Sequence, residues 1–149
     1  MDNFLLNEAL SEQSLGTNTT HLLLDDTHSK ILAYISLCAD TIPLELQERQ
    51  NEGLHYFTAP ALKIARLAVD SDFHRQGLGK KLIRFTTYSA HKISDICGIV
   101  FITLDCYEHR VPFYEHFYEH FGFMRNQLQS QKKPFDNPIS MRARGCRQY

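Results

Sequence analysis

Arg66-Leu67-Ala68-Val69-Asp70-Ser71-Asp72-Phe73-His74-Arg75-Gln76-Gly77-Leu78-Gly79-Lys80-Lys81-Leu82 is the stretch whose reading decides the fold. Its apolar start closes a strand over residues 61–69, two glycines make a turn, and a helix over residues 78–93 follows with Leu78, Leu82, Phe85, Ser89 and Ile93 on one stripe. A strand entering a helix through glycines aims unpaired backbone N–H groups and the positive end of the helix dipole at one point. An anion belongs there. Gly77 and Gly79 let a bulky phosphate approach, and Arg75, Lys80 and Lys81 add positive charge.

Working outward, residues 98–104 form a nearly continuous apolar strand and residues 110–120 a second helix, with Pro112 in its first turn. Strand, helix, strand, helix implies a parallel βαβ centre. Upstream, residues 19–24 and 30–39 read as an antiparallel hairpin around the polar turn 25–29. Phe4, Leu5, Ala9 and Leu10 recur at helical spacing, so the chain opens in a short helix. Thr41 is the expected N-cap of a helix running to Asn51, inside a long connection over residues 40–60. Residues 121–124 and 139–143 would be two final strands, joined by a Lys132-Lys133-Pro134 loop. The expected class is α/β (α+β), a mixed sheet with antiparallel hairpins flanking the parallel unit.

A chain of 149 residues fits one domain spanning its whole length. With 43% hydrophobic and 22% charged residues and few Gly or Pro, a disordered or collagenous chain is excluded. No apolar run is long enough for a membrane span and no basic n-region opens the chain, so the expectation is a cytoplasmic protein with no membrane partner. Cys38, Cys97, Cys106 and Cys146 form no C-x-x-C pair and read as free, mostly buried thiols. Net charge is −1, but residues 1–60 hold nine acids and two bases, whereas residues 125–149 hold one acid and six bases. That basic tail reads either as solvated surface or as part of a site for a phosphate-bearing partner.

Two nucleotide motifs are absent. No Gly-x-x-x-x-Gly-Lys-Ser/Thr marks a P-loop, and Leu82 stands where a Gly-x-Gly-x-x-Gly fingerprint needs its third glycine. The segment His74-Arg75-Gln76-Gly77-Leu78-Gly79 resembles the pyrophosphate-binding motif of the GNAT N-acetyltransferases, with His74 departing from the usual Arg or Gln. The resemblance covers roughly residues 4–144 and implies acetyl-coenzyme A as cosubstrate, held by His74, Arg75, Gln76, Gly77, Leu78, Gly79 and Lys80. It further implies that the backbone of Leu67, Ala68 and Val69 pairs with the pantetheine arm. It implies no metal, and the usual first strand of that fold would be missing ahead of Phe4.

Phe113-Tyr114-Glu115-His116 is repeated at once as Phe117-Tyr118-Glu119-His120. Four residues rotate a helix by about 400°, so the copy lies one turn along on nearly the same face. The resemblance implies that one tyrosine protonates the departing thiolate. Counting from Gly122-Phe123 selects Tyr118 and counting from the strand selects Tyr114; the second count carries more weight because the coenzyme lies against the strand end. His109, His116 and His120 lack an H-E-x-x-H pattern and read as an exposed polar face.

Many members of the family carry a glutamate on the strand before the motif as general base, yet residues 61–69 contain no acid. At pH 7 a lysine-like amine is neutral to about one part in 2,500, a handicap near 4.6 kcal/mol, against about 1–1.4 kcal/mol for an α-amine. An α-amine acceptor is therefore expected, unless Glu52 or His55 reaches in as a base. Phe4-Leu5-Leu6-Asn7-Glu8-Ala9-Leu10, Ala33-Tyr34-Ile35-Ser36-Leu37 and Arg66-Leu67-Ala68-Val69-Asp70 also look like the acetyltransferase toxins of toxin–antitoxin systems. That likeness implies aminoacyl-tRNA as acceptor, an antitoxin partner and a homodimer. The acidic first 60 residues speak against an RNA binder. The rival reading is an inactive module that binds acetyl-coenzyme A or another pyrophosphate as a sensor.

Overall fold

In the computed structural model, which describes residues 2–116, 122–130 and 139–145, the chain opens with two short helices, α1 (Asp2–Asn7) and α2 (Ala9–Ser14). Strand β1 (Thr19–Leu24) and the long β2 (Ile31–Pro43) follow, then α3 (Leu46–Glu52), β3 (Thr58–Val69) and α4 (Leu78–Ser94). The remainder is β4 (Phe101–Cys106), α5 (Val111–His116), β5 (Met124–Arg125), α6 (Gln127–Ser130) and β6 (Ile139–Arg144). The strands form one sheet in the order β1-β2-β3-β4-β6-β5, with β3 and β4 parallel and antiparallel pairs to either side, so the mixed-sheet expectation holds. Two compact units divide these residues: Met1–Cys38 with Ile64–Ser89, and Ala39–Lys63 with Ala90–Tyr149.

In the first unit, β1 pairs antiparallel with β2 from Thr19 opposite Leu37 to Leu23 opposite Ala33, then slips at a bulge between Leu23 and Leu24. Asp70 donates its N–H to Leu32 O at 2.9 Å, which ties the end of β3 to the start of β2. Phe4 and Ala9 are buried against Tyr34, with Phe4 stacked on the Tyr34 ring at 5.4 Å. The opening helix is thus interrupted at Glu8, and Leu10, expected on its inner stripe, stands 79% exposed. The buried face of α4 is also rotated from the expected stripe. Leu78, Leu82, Ile83, Thr86 and Ala90 are buried, whereas Phe85 lies at the margin against the His21 ring. Thr86 passes for an apolar residue because its hydroxyl donates to Leu82 O one turn back.

The second unit corrects the expectation for residues 40–60. Thr41 caps no helix; β2 runs on to Pro43, with Ile42 and Leu44 buried in a cluster with Ala59, Ala61 and Phe101. Leu44 donates to Phe57 O, so the N of the preceding Pro43 faces away from β3, where a missing donor breaks no bond of that pair. Helix α3 starts instead at Glu45, whose N–H is accepted by Glu48 Oε2 at 2.8 Å. Of the last two strands, β6 (Ile139–Arg144) falls where expected and β5 is displaced to Met124–Arg125, with Phe123 just before it, buried. The Lys132-Lys133-Pro134 loop lies outside the described residues.

The basic tail is spent internally where it is described. Arg142 on β6 and Glu48 on α3 are 4% and 5% exposed and meet at 2.6 Å, and Arg142 also donates to Asn126 Oδ1 at 2.7 Å. One turn and two residues on, Arg144 pairs with Glu52 at 2.7 Å. Arg125 bridges Glu108 and Glu115. Removing one member of a buried pair strands the other charge, at a cost of about 3–5 kcal/mol. Glu48→Gln is expected to lose about that much in urea unfolding, and Glu48→Gln with Arg142→Met to recover most of it. A single variant as stable as the parent would contradict the assignment.

Candidate active site

The backbone N–H groups of the loop that enters α4 are bonded within the loop up to His74. Asp70 Oδ1 accepts the Asp72 N–H at 2.9 Å, Asp70 O accepts from Phe73 at 2.9 Å, and Ser71 O accepts from His74 at 3.3 Å. The His74 ring is 3.0 Å from Val69 O through Nε2, and Gln76 Nε2 donates to Asp72 O at 3.4 Å. The first bond of the helix proper is Lys81 N–H to Gly77 O at 3.1 Å. Among the described residues, the N–H groups of residues 75–80 donate to no protein acceptor. These are the donors that a helix start leaves over, extended backwards by two loop residues.

Two residues with positive φ make that row possible: Arg75 at 61° and Gly77 at 78°. At Gly77 a Cβ would meet nothing within 4 Å, so the requirement for glycine is conformational, and the space before the backbone is open. Arg75 adopts the same region with a side chain, at a cost of about 1–2 kcal/mol. Successive N–H groups turned to one side by such dihedrals form an anion-binding concavity, and the exposed Arg75 and Lys81 add cations beside it. Leu78 is buried and anchors the helix start. Leu67, Ala68 and Val69 are half-buried, whereas Ala59, Ala61, Leu62 and Ile64 earlier on β3 are buried. Of the expected contacts, His74 differs: its amide is used in the turn and its ring against Val69, so it braces the loop rather than adding a free donor.

Tyr114 lies in the second unit, on α5, whose first residue Val111 is fully buried. Its ring packs edge-on against Phe113 at 5.0 Å and Phe123 at 6.1 Å. Burial pushes its phenol above the ordinary value of 10; the neighbouring Cys106 adds to this and Arg110 opposes it. The phenol is therefore a proton donor throughout the neutral range. Cys106 is itself pushed up to about 11, chiefly by burial, with its Sγ 3.6 Å from Met141 Sδ. Cys97 is exposed and Cys38 half-buried, so the thiols are less uniformly interior than expected, while Cys146 lies outside the described residues. Tyr118 and His120 lie outside them too.

The two expected bases differ in their surroundings. Glu52 is held by Arg144, and His55 is exposed on the loop after α3. On β3 the ionisable side chains are Lys63, paired with Asp105 at 2.7 Å, and Arg66, paired with Glu8 at 3.1 Å and stacked over Phe4 at 4.2 Å. Among the described residues, no group of three or more His, Cys, Asp or Glu is arranged to hold a metal. Among the described residues, no helix is long and apolar enough to cross a membrane.

A family profile described as an acetyltransferase (GNAT) domain matches residues 17–125, well over half of the chain. The chain belongs to the GNAT acetyltransferase family. Solved structures with the same fold include a tyrosine-to-phenylalanine variant of KacT, 20% identical with a TM-score of 0.74 over 93% of this chain and 78% of that one. AtaT complexed with acetyl-methionyl-tRNAfMet is 18% identical, with a TM-score of 0.74 and the same coverage. An AtaT variant toxin bound to the C-terminus of the antitoxin AtaR and acetyl-CoA is 17% identical, with a TM-score of 0.71 over 96% of this chain and 78% of that one. In this GNAT domain the loop conformation makes a direct prediction. Gly77→Ala is expected to cost about 1 kcal/mol or more in thermal unfolding, because alanine resists positive φ. Arg75→Gly is expected to change stability by less than about 0.5 kcal/mol, since relief of strain is offset by greater freedom of the unfolded chain. Equal effects at the two positions would contradict the loop conformation.

Proposed function

We propose that this GNAT domain moves an acetyl group from acetyl-coenzyme A to an α-amine, that of an aminoacyl-tRNA. The observation that carries the reading is the row of unpartnered N–H groups over residues 75–80, whose donors match the oxygens of a diphosphate. When bound, acetyl-coenzyme A supplies an activated thioester. The chain's own part is to hold and to return a proton: residues 75–80 grip the diphosphate, the Leu67–Ala68–Val69 backbone aligns the arm, and the Tyr114 hydroxyl donates its proton to the thiolate. Positioning of this kind is worth several kcal/mol of barrier. Transfer from a phenol raised above 10 to a thiolate whose conjugate acid has a pKa of about 8.5 is uphill by more than about 1.5 units, and it is completed as the surplus proton of the attacking amine returns to the phenolate.

The acceptor follows from what β3 lacks. Its ionisable side chains are the two cations Lys63 and Arg66, so it offers no carboxylate to deprotonate a strongly basic amine. An α-amine needs little help at pH 7. AtaT, with the same fold, is solved with acetylated methionyl-tRNA and with an antitoxin segment, which supports the same acceptor class and a protein inhibitor for this chain.

Calorimetric titration with acetyl-coenzyme A should show saturable binding, and a folded sample that binds none at millimolar ligand would refute the donor assignment. In an acceptor panel, aminoacyl-tRNA should exceed polyamines and lysine side chains; preference for the latter would refute the α-amine. Tyr114→Phe should lower kcat by about 100-fold or more with donor affinity kept. The alkaline fall of the parent's kcat should have its midpoint above the ordinary phenol value of 10, since burial raises the Tyr114 phenol. Acetyl transfer that survives in Tyr114→Phe but not in Tyr114→Phe with Tyr118→Phe would assign the proton to Tyr118. No transfer to any amine would leave the sensor reading.

A further inference from the structure

Resting on that donor assignment, we infer that Lys30 is a positioning residue for the diphosphate loop, acting through Asp70 and Asp72. Its Nζ lies 3.6 Å from Asp70 Oδ2 and 3.4 Å from Asp72 Oδ2, and 4.6 Å from the centre of the Phe73 ring. These three residues are the strand end and the short turn from which the donor row issues. Among the described residues no other cation reaches either carboxylate within 4 Å. The Asp72 backbone carbonyl accepts from the Gln76 side chain, and the Asp70 carboxylate accepts from the Asp72 N–H, so both acids belong to the bonded turn that leads into the row.

The electrostatic problem is specific. A loop meant to receive a diphosphate carries two carboxylates within six residues of its first free donor, and like charges repel across a Debye length of roughly 10 Å. Lys30 offsets them, and its ammonium over the Phe73 ring holds that side chain against the turn. The lysine is delivered by a preset turn. Asp25 accepts from the N–H groups of Ser29 at 2.8 Å and Lys30 at 3.0 Å and from the Thr27 hydroxyl at 2.7 Å, and these bonds hold its carboxyl down at about 2. The turn is therefore fully bonded at neutral pH. The bond from Asp70 N–H to Leu32 O fixes the distance between this turn and the loop.

The test is the acetyl-coenzyme A dissociation constant by calorimetry at about 50 and about 500 mM NaCl, with thermal unfolding in parallel. Lys30→Met should weaken binding by about 3- to 10-fold at low salt and by less than about 2-fold at high salt. Lys30→Arg should bind within about 2-fold of the parent, and so should Lys30→Met combined with Asp72→Asn, because removing an acid replaces the lost cation. Unchanged binding by Lys30→Met at low salt overturns the inference. So does a loss that is equal at both salt concentrations and not recovered by Asp72→Asn, which would mark a general folding defect. A parent protein that fails to bind overturns the donor assignment and this inference with it.

Discussion

An α-helix cannot bond its own first N–H groups, and the site in this protein is built on that deficit. The loop ahead of α4 spends its hydrogen bonds on itself as far as His74, then stops. Two positive φ angles turn the next amides outward and leave six consecutive donors without protein acceptors among the described residues. Everything upstream serves to hold this loop steady: the Asp25 turn, the bond from Asp70 to Leu32, and the burial of Leu78 at the helix start. A row of free donors is costly in a core and useful at a surface, which is why the loop residues around it are exposed.

How much of this was legible in the sequence depended on range. The strand, glycine turn and helix are local signals, and β1, β3 and α4 begin or end within a few residues of where the pattern puts them. The helical phase of α4 was misread because Thr86 is polar by type yet satisfies itself within the helix, whereas Phe85 is apolar yet stands at the edge. Residues 40–45 were misread because Thr-Ile-Pro mimics a helix start, while burial of Ile42 and Leu44 favours continued strand. The part played by Lys30 had no local signal at all, since it lies some forty residues from the acids it meets.

Charge counting left the basic tail either as solvated surface or as part of a site for a phosphate-bearing partner; Arg125, Arg142 and Arg144 each face carboxylates of the same unit. The acids they meet include Glu48 and Glu52, which belong to the acidic first sixty residues. Among the described residues, two opposite charges far apart in sequence, at Glu48 and Glu52, are thus folded onto Arg142 and Arg144. The contact between Glu48 and Arg142 is ionic rather than well aligned, so Glu48 Oε1 and Arg142 Nε still lack a hydrogen-bond partner. Such a pair stabilises little over an apolar substitute, while loss of either partner alone leaves a buried charge uncompensated.

The slip in register between Leu23 and Leu24 bears on how the molecule behaves in a crowd. Strand β1 lies at the border of the sheet, where a straight ribbon of peptide groups would offer itself to a strand from a neighbour. The irregularity twists that ribbon near its end, and the strand is only six residues long. Self-association through stacked ribbons, the first step towards fibrils, is thereby discouraged without any charged guard residue on β1.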